Sequence, residues 1–402
     1  MPSARVVPLA LAGLALLVGA PAASARRTMT LKFPRFTVPP HSDREVCTFL
    51  RLPRRSAFKS GGFEIVNVGV KPDFVSHHFL MYTYTGKDMA AFPPKGTIVD
   101  SKACLDFGPA DRNARTLIGG SQSPRSVQTL PRGLAQEISP PASGEPIGII
   151  LNSHWINSGD QTRTAAVKIK IFPAKRGVKR LMKPIFDVVA NAFIDVAPKS
   201  KSTVGAGWRV GGQDFGAAFG GAAIPSQPVC VASLTSHMHK RGELFAVELV
   251  QNHQKSPLFS STDYADPPLN VYDGKHGRRP PIYLQKGDGF DYSCTHANDV
   301  DGKPVKLGCQ ETDAEVPGKP VFPYGFHAAK QCTQLGDDPG ECPPTDPDYP
   351  GRTFTGKCVK ANVVFGFTSD DEMCILPGSY YDANPSAPAG HECDLAMMPV
   401  LK

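Results

Sequence analysis

The sequence predicts an all-β protein of two tandem antiparallel β-sandwiches, and three observations lead there. Short β-rich runs recur along the chain, bounded by Gly, Pro, Asp and Asn turns. The 39 prolines and 38 glycines leave little room for long helices. A length of 402 residues exceeds one typical domain and suits two. Hydrophobic residues at 41% and charged residues at 20% describe a packed globular chain, not a disordered one.

The elements follow in chain order. Residues 1–25 read as a signal peptide. Arg5 supplies the positive region, Val6 to Ala20 is almost wholly apolar, and Ala23-Ser24-Ala25 fits a small-x-small cleavage site. That apolar run contains Pro8 and is short for a span of ~20 residues, so removal is expected rather than anchoring. No later stretch could cross a bilayer as a helix. The first sandwich is expected over 28–180, with strands at Phe63 to Val68 and at Ala166 to Phe172, which alternates apolar and basic residues. Lys175 to Lys183 is a short basic run that closes this block. With the net charge of +7 spread diffusely, it reads as a solvated linker and not as a nucleic-acid site. Lys183 to Asn191 is the one segment that reads as a helix, with Pro184 near its start. The second sandwich is expected over 181–402, with strands at Phe245 to Val250 and Asn362 to Phe367. Residues 298–357 interrupt it as a Pro-, Gly- and Asp-rich insertion carrying Cys309, Cys332 and Cys342.

Ten cysteines in a chain with an export signal read as disulfides, and their number is even. No Asn-x-Ser/Thr acceptor is present, since Asn384 is followed by Pro. Together these point to a bacterial exported protein, periplasmic or secreted.

The chemistry-bearing residues are five histidines and a methionine in four stretches. These are Ser76-His77-His78, Asn152-Ser153-His154-Trp155, Ser236-His237-Met238-His239 and Glu372-Met373-Cys374. His237 and His239 are two apart, so on extended backbone both imidazoles share a face, while Met238 points the other way, into a core. His77 and His78 are adjacent, so both can serve one metal only at a strand end or a bulge. His154 ends an apolar strand, and Asn152 shares its face as a hydrogen-bonding partner. Singly, each stretch has a bland alternative: surface histidines, a core histidine, a core methionine. Together they suggest two unlike copper sites, one of three imidazoles and one of two imidazoles with a thioether, which favours Cu(I). His41, His253, His276, His296, His327 and His391 lack partners at ligand spacing and read as surface or structural. A zinc hydrolase would gather its ligands into one compact set, which this division fits poorly.

In this order, the motifs resemble those of the ascorbate-dependent type II copper monooxygenases, a family that includes peptidylglycine α-hydroxylating monooxygenase and dopamine β-hydroxylase. The resemblance spans most of the mature chain. Asp43-Arg44 to Cys47 with Arg51-Leu52-Pro53 is similar to the family's opening strand, and His77 to Tyr82 to its first copper motif. Leu130-Pro131-Arg132-Gly133 is similar to a turn before the next ligand, and Asp371-Glu372-Met373-Cys374 to the methionine motif. The resemblance implies two jelly-roll-like sandwiches facing across an open cleft and two coppers per chain. One copper would be held by His77, His78 and His154 and pass on electrons. The other, held by His237, His239 and Met373, would bind dioxygen. Ascorbate would be the reductant and a substrate C–H bond the target. It also implies Cys294–Cys374, Cys230–Cys393 and Cys47–Cys104 bridges. Cys309, Cys332, Cys342 and Cys358 are left for two bridges in three possible connectivities.

Three positions depart from the members that act on glycine-extended peptides. Thr235 stands where they carry an arginine, Ile375 where they carry an asparagine and Pro377 where they carry a tyrosine. The substrate, small molecule or peptide, is therefore not named by the resemblance, and neither is the oligomeric state. Two other readings compete: a non-catalytic exported copper-binding or interaction protein on the same scaffold, and a hydrolase, which would need a carboxylate pair in the cleft.

Overall fold

The computed structural model of the chain describes residues 28–52, 58–68, 74–84, 92–100, 115–121, 123–138, 147–216, 221–311, 336–337, 344, 353–366 and 371–401. Among the described residues the regular structure is β-strand with short 3-10 turns, so the all-β class holds.

The described residues of 29–181 form two sheets packed face to face, antiparallel except where Arg180–Leu181 joins the first. One centres on Arg163–Pro173 and Phe58–Val68, with Met29–Lys32, Phe36–Val38, Arg125–Thr129 and Leu134–Ile138 beside them. The other runs Ile98–Asp100, Ser42–Leu52, Ile147–Asn157, Phe74–Tyr84, Arg115–Ser121. Arg163–Pro173 alternates as expected: Ala165, Val167, Ile169 and Ile171 are buried while Lys168 is exposed. The buried set meets Val46, Phe79, Met81, Ile149 and Leu151 of the facing sheet in one core. Ile147–Asn157 is buried nearly throughout, as a strand with neighbours on both edges and layers on both faces must be.

Residues 183–382 repeat the plan. One sheet joins Lys183–Asp187, Leu376–Asp382, Val229–Leu234 and Asn270–Val271, with Ile282–Leu284 on Val229–Leu234. The other joins Ser200–Arg209, Gly289–Asn298, Gly242–Gln251 and Gln254–Ser261. Val231, Leu234 and Tyr380 pack against Trp208, Phe245, Val247 and Phe290. The chain passes from the first sheet pair to the second between Arg180–Leu181, which pairs in parallel with Leu134 and Ala135, and Lys183–Asp187. A smaller cluster of Leu134, Met182, Ala232, Tyr381 and Met398 bridges the two.

One expected element is corrected. Lys183 to Asn191 is not a helix: Lys183–Asp187 is an edge strand on Leu376–Asp382, and a 3-10 turn, Val189–Phe193, follows. Pro184 is tolerated because an edge strand need not donate on both sides, and the antiparallel partner outweighs a weak local helix preference. Of Asn362 to Phe367, only Val363–Val364 is strand, and Phe367 lies outside the described residues. Much of the 298–357 insertion also lies outside them. Its described ends form a small sheet in which Leu307–Glu311 and Gly336–Asp337 both pair with Phe354–Lys360.

Cys230–Cys393 and Cys294–Cys374 are bonded, with Cα atoms 5.6 and 5.8 Å apart. Cys47, Cys309 and Cys358 are also disulfide-bonded. Cys104, Cys332 and Cys342 lie outside the described residues, as does the 1–25 segment. Among the described residues no helix is long and apolar enough to cross a membrane.

Candidate metal centre

Ile147–Asn157 carries His154 between two partners. His154 pairs in register with Glu45 on one side and His78 on the other. Directly after that pair the register slips, so that Trp155 faces Ser76 and His77 is the extra residue. This is the bulge that two adjacent histidines require if both are to serve one site. The His77 side chain lies outside the described ones.

His78 and His154 are buried, with ring centroids 5.0 Å apart. A polar chain orients His78: its Nε2 lies 3.2 Å from Asn152 Oδ1, and Asn152 Nδ2 donates to Glu45 Oε1 at 2.8 Å. A carboxylate can only accept, so it fixes the amide with its NH₂ toward Glu45 and its oxygen toward His78. His78 must then donate through Nε2, and the lone pair of the ring sits on Nδ1. Asn152 is thus a supporting partner, as its position in the strand predicts, although its bond goes to His78 and not to His154. Glu45 Oε1 is also 3.6 Å from His78 Nε2. Burial alone would raise the Glu45 carboxyl, but the His78 hydrogen bond and the nearby imidazoles hold it below its usual value.

The second half-site follows the end of Val229–Leu234. His237 N–H donates to the Ile375 carbonyl and the Ile375 N–H to the His237 carbonyl, both at 3.1 Å, which locks this segment to the one after Met373. His237 and His239 remain on one side, ring centroids 5.3 Å apart, while Met238 is buried in the second core. Gly242 is required here, because a Cβ on it would sit 2.7 Å from the Met238 Cβ.

Beneath His239 lies a buried carboxylate. Glu372 accepts from the His239 N–H at 2.9 Å and the Arg241 N–H at 2.6 Å, and its Oε2 is 3.2 Å from His296 Nδ1. Burial would raise this carboxyl, but His296 and His239 hold it below its usual value. His239 Nδ1 lies 3.1 Å from the Asp371 carbonyl, which can only accept, so the lone pair of that ring is on Nε2.

The two half-sites meet. His78 is 5.6 Å from His237 and His154 is 6.3 Å from His239, centroid to centroid, so four imidazoles from both sheet pairs close a ring. The halves of the centre abut here, in place of the open separation that the family resemblance implies. Burial pushes the His78 and His239 imidazoles below their ordinary value and His237 well below it, and the neighbouring rings add to this. They are neutral donors, the form that binds metal.

Met373 is buried with Val188 and Ile375. Together with His78 and His237 it lines a cavity of ≈ 480 Å³ between the sheet pairs. Among the described residues no three His, Cys, Asp or Glu side chains form a ready-made metal site. Two expected donors fall outside that statement, the His77 ring and the Met373 sulfur. The donors present nevertheless fit copper: neutral imidazoles, two of them with one nitrogen fixed as a donor, and a soft thioether that lines the same cavity.

Glu45, Glu372 and His296 are the supporting residues that sequence reasoning missed. Of the two readings that the sequence left open for His296, surface or structural, the structure has the second, since it is fully buried. Its signal was the two-residue spacing from Cys294, which puts it on the face that the Cys294–Cys374 bridge buries. Of the others, His41 pairs with Asp160 at the surface, His253 and His276 occupy left-handed turns, and His327 lies outside the described residues.

No protein-family model matches the chain, and no curated protein matches it. Among solved structures, the major capsid protein P2 of bacteriophage PM2 is similar at 10% identity and a TM-score of 0.23, covering 67% of this chain and 96% of that one. The PBSX exported protein XepA is similar at 9% identity and a TM-score of 0.14, covering 67% of this chain and 86% of its own. Likenesses this distant bear on neither mechanism nor ligand.

Proposed function

We propose that the protein is an exported copper-dependent monooxygenase that hydroxylates a C–H bond of an organic substrate, with dioxygen and a reductant such as ascorbate. The observation that supports this most is the closed ring of His78, His154, His237 and His239, drawn from three distant stretches, two of whose members, His78 and His237, line a cavity. His77, His78 and His154 would hold one copper, and His237, His239 and Met373 the other. Copper bound there would supply the one-electron steps and the oxygen activation.

The chain's own residues do the rest. Asn152 and Glu45 orient His78, and the Asp371 carbonyl orients His239. Glu372 holds the backbone of the His-Met-His segment in place. The apolar wall of Phe186, Val188, Phe365, Met373 and Ile375 excludes water from the reacting end of the cavity. Disulfides fit export.

The test is oxygen uptake by the copper-loaded protein with ascorbate, across a substrate panel. Substrate-dependent uptake is expected. Met373→Ala is expected to abolish it while leaving the three-histidine site filled. Copper binding without uptake across the panel would replace this reading with a non-catalytic copper-binding protein.

A further inference from the structure

Given the copper-centre reading of this junction, we infer that the cavity takes a neutral, predominantly apolar organic substrate and rejects charged ones. The reason lies in how its walls are already satisfied. Leu80, Leu117, Leu130, Phe186, Phe365 and Ile375 supply apolar surface around the volume that His78, His237 and Met373 overlook. The charged side chains among the described lining residues, apart from the histidines, are Glu45, Arg115, Lys183 and Asp266.

Each of these has a protein partner. Lys183 Nζ bonds both Asp382 oxygens, at 2.8 and 2.9 Å. Asp266 accepts from Ser123 at 2.6 Å. Glu45 accepts from Asn152. The Arg115 guanidinium lies over the Tyr82 ring, 5.2 Å from its centroid. A carboxylate or ammonium entering the cavity would have to displace one of these partners, or be desolvated without a counter-ion, which is costly.

Several of the neutral polar groups are engaged as well. Ser233 and Ser379 bond each other at 2.7 Å. The Thr235 hydroxyl donates to the Pro268 carbonyl at 3.1 Å. Asn191 Oδ1 accepts from the Cys374 N–H at 2.6 Å. A substrate therefore gains mostly from apolar contact, and the volume falls in the range of small-molecule sites. Thr235, Ile375 and Pro377, the three departures noted in the sequence, all lie on this wall. None of the three carries a charge that would hold a carboxylate.

The experiment measures equilibrium binding of three fluorescent probes of nearly equal size to the full-length protein: naphthylmethanol, naphthoate and naphthylmethylammonium. A parallel copper titration is run on the same preparation. Naphthylmethanol is expected to bind at least about tenfold more tightly than either ion. Leu269→Trp is expected to weaken naphthylmethanol binding about tenfold with an unchanged melting temperature, because Leu269 lines the cavity yet is 49% exposed, so a larger ring there obstructs without repacking a core. Equal or tighter binding of an ion overturns the inference, and so does indifference to Leu269→Trp. Normal copper uptake with no probe bound sinks the substrate class and spares the copper centre. Selective binding of naphthylmethanol with no copper uptake upholds the cavity's selectivity and sinks the copper reading.

Discussion

Copper-free protein is expected to lose stability steeply as the pH falls from about 7 to 5, where unperturbed histidines titrate. His78 and His239 are held below, and His237 well below, the ordinary imidazole value of 6.5, chiefly by burial. They take up protons less readily in the fold than in the unfolded chain, where the same residues do so once the pH drops below about 6.5. Below that pH the unfolded state binds more protons, so acid favours unfolding. Each ring contributes at most about 1.4 kcal/mol per pH unit, so the three together give no more than about 4 kcal/mol per unit. That is large beside a whole-domain stability of about 5–15 kcal/mol. Urea unfolding across this pH range measures it. Replacing the three histidines with glutamine should flatten the slope. A wild-type stability unchanged between pH 7 and 5 would mean that the rings are not buried and neutral. Glu45 and Glu372 act in a separate window. Their folded values lie below the usual 4.5, so the stability they give is present above that pH and is lost as acid takes them through their folded values.

Glu372→Ala is expected to destabilise the protein by about 3–5 kcal/mol, the range for removing one member of a buried charged network. The substitution strands the N–H groups of His239 and Arg241 and takes the carboxylate from beside His296, all in a site without solvent. Glu372→Gln retains an oxygen that can accept one of those N–H groups, so a smaller loss is expected. Denaturant unfolding of both variants separates the two effects. An alanine variant as stable as wild type would show that the carboxylate does not brace the His237-Met238-His239 segment.

Much of this centre is legible in the sequence because its periodicities are local. A two-residue repeat puts His237 and His239 on one side and Met238 in the core, and the structure has both. Two adjacent histidines demand an irregular strand, and the register slips at His77. Lys183 to Asn191 misleads because its helix-like composition is judged without its partner, and the antiparallel register with Leu376–Asp382 decides the outcome. Glu45 and Glu372 carry no local signal that marks them as buried acceptors. Glu45 becomes one only when Ser42–Leu52 aligns it with His154, more than a hundred residues away. The meeting of His78 with His237 is likewise a property of how two sheet pairs pack, which no spacing within either half encodes.

The account stands on imidazoles from both halves of the chain serving one buried copper centre. The most direct measurement is the copper retained after dialysis by the full-length protein and by two single variants, His154→Ala in the first half and His239→Ala in the second. Two ions per chain are predicted for the wild type and one for each variant. A full complement in either variant, or no copper retained by the wild type, would contradict it.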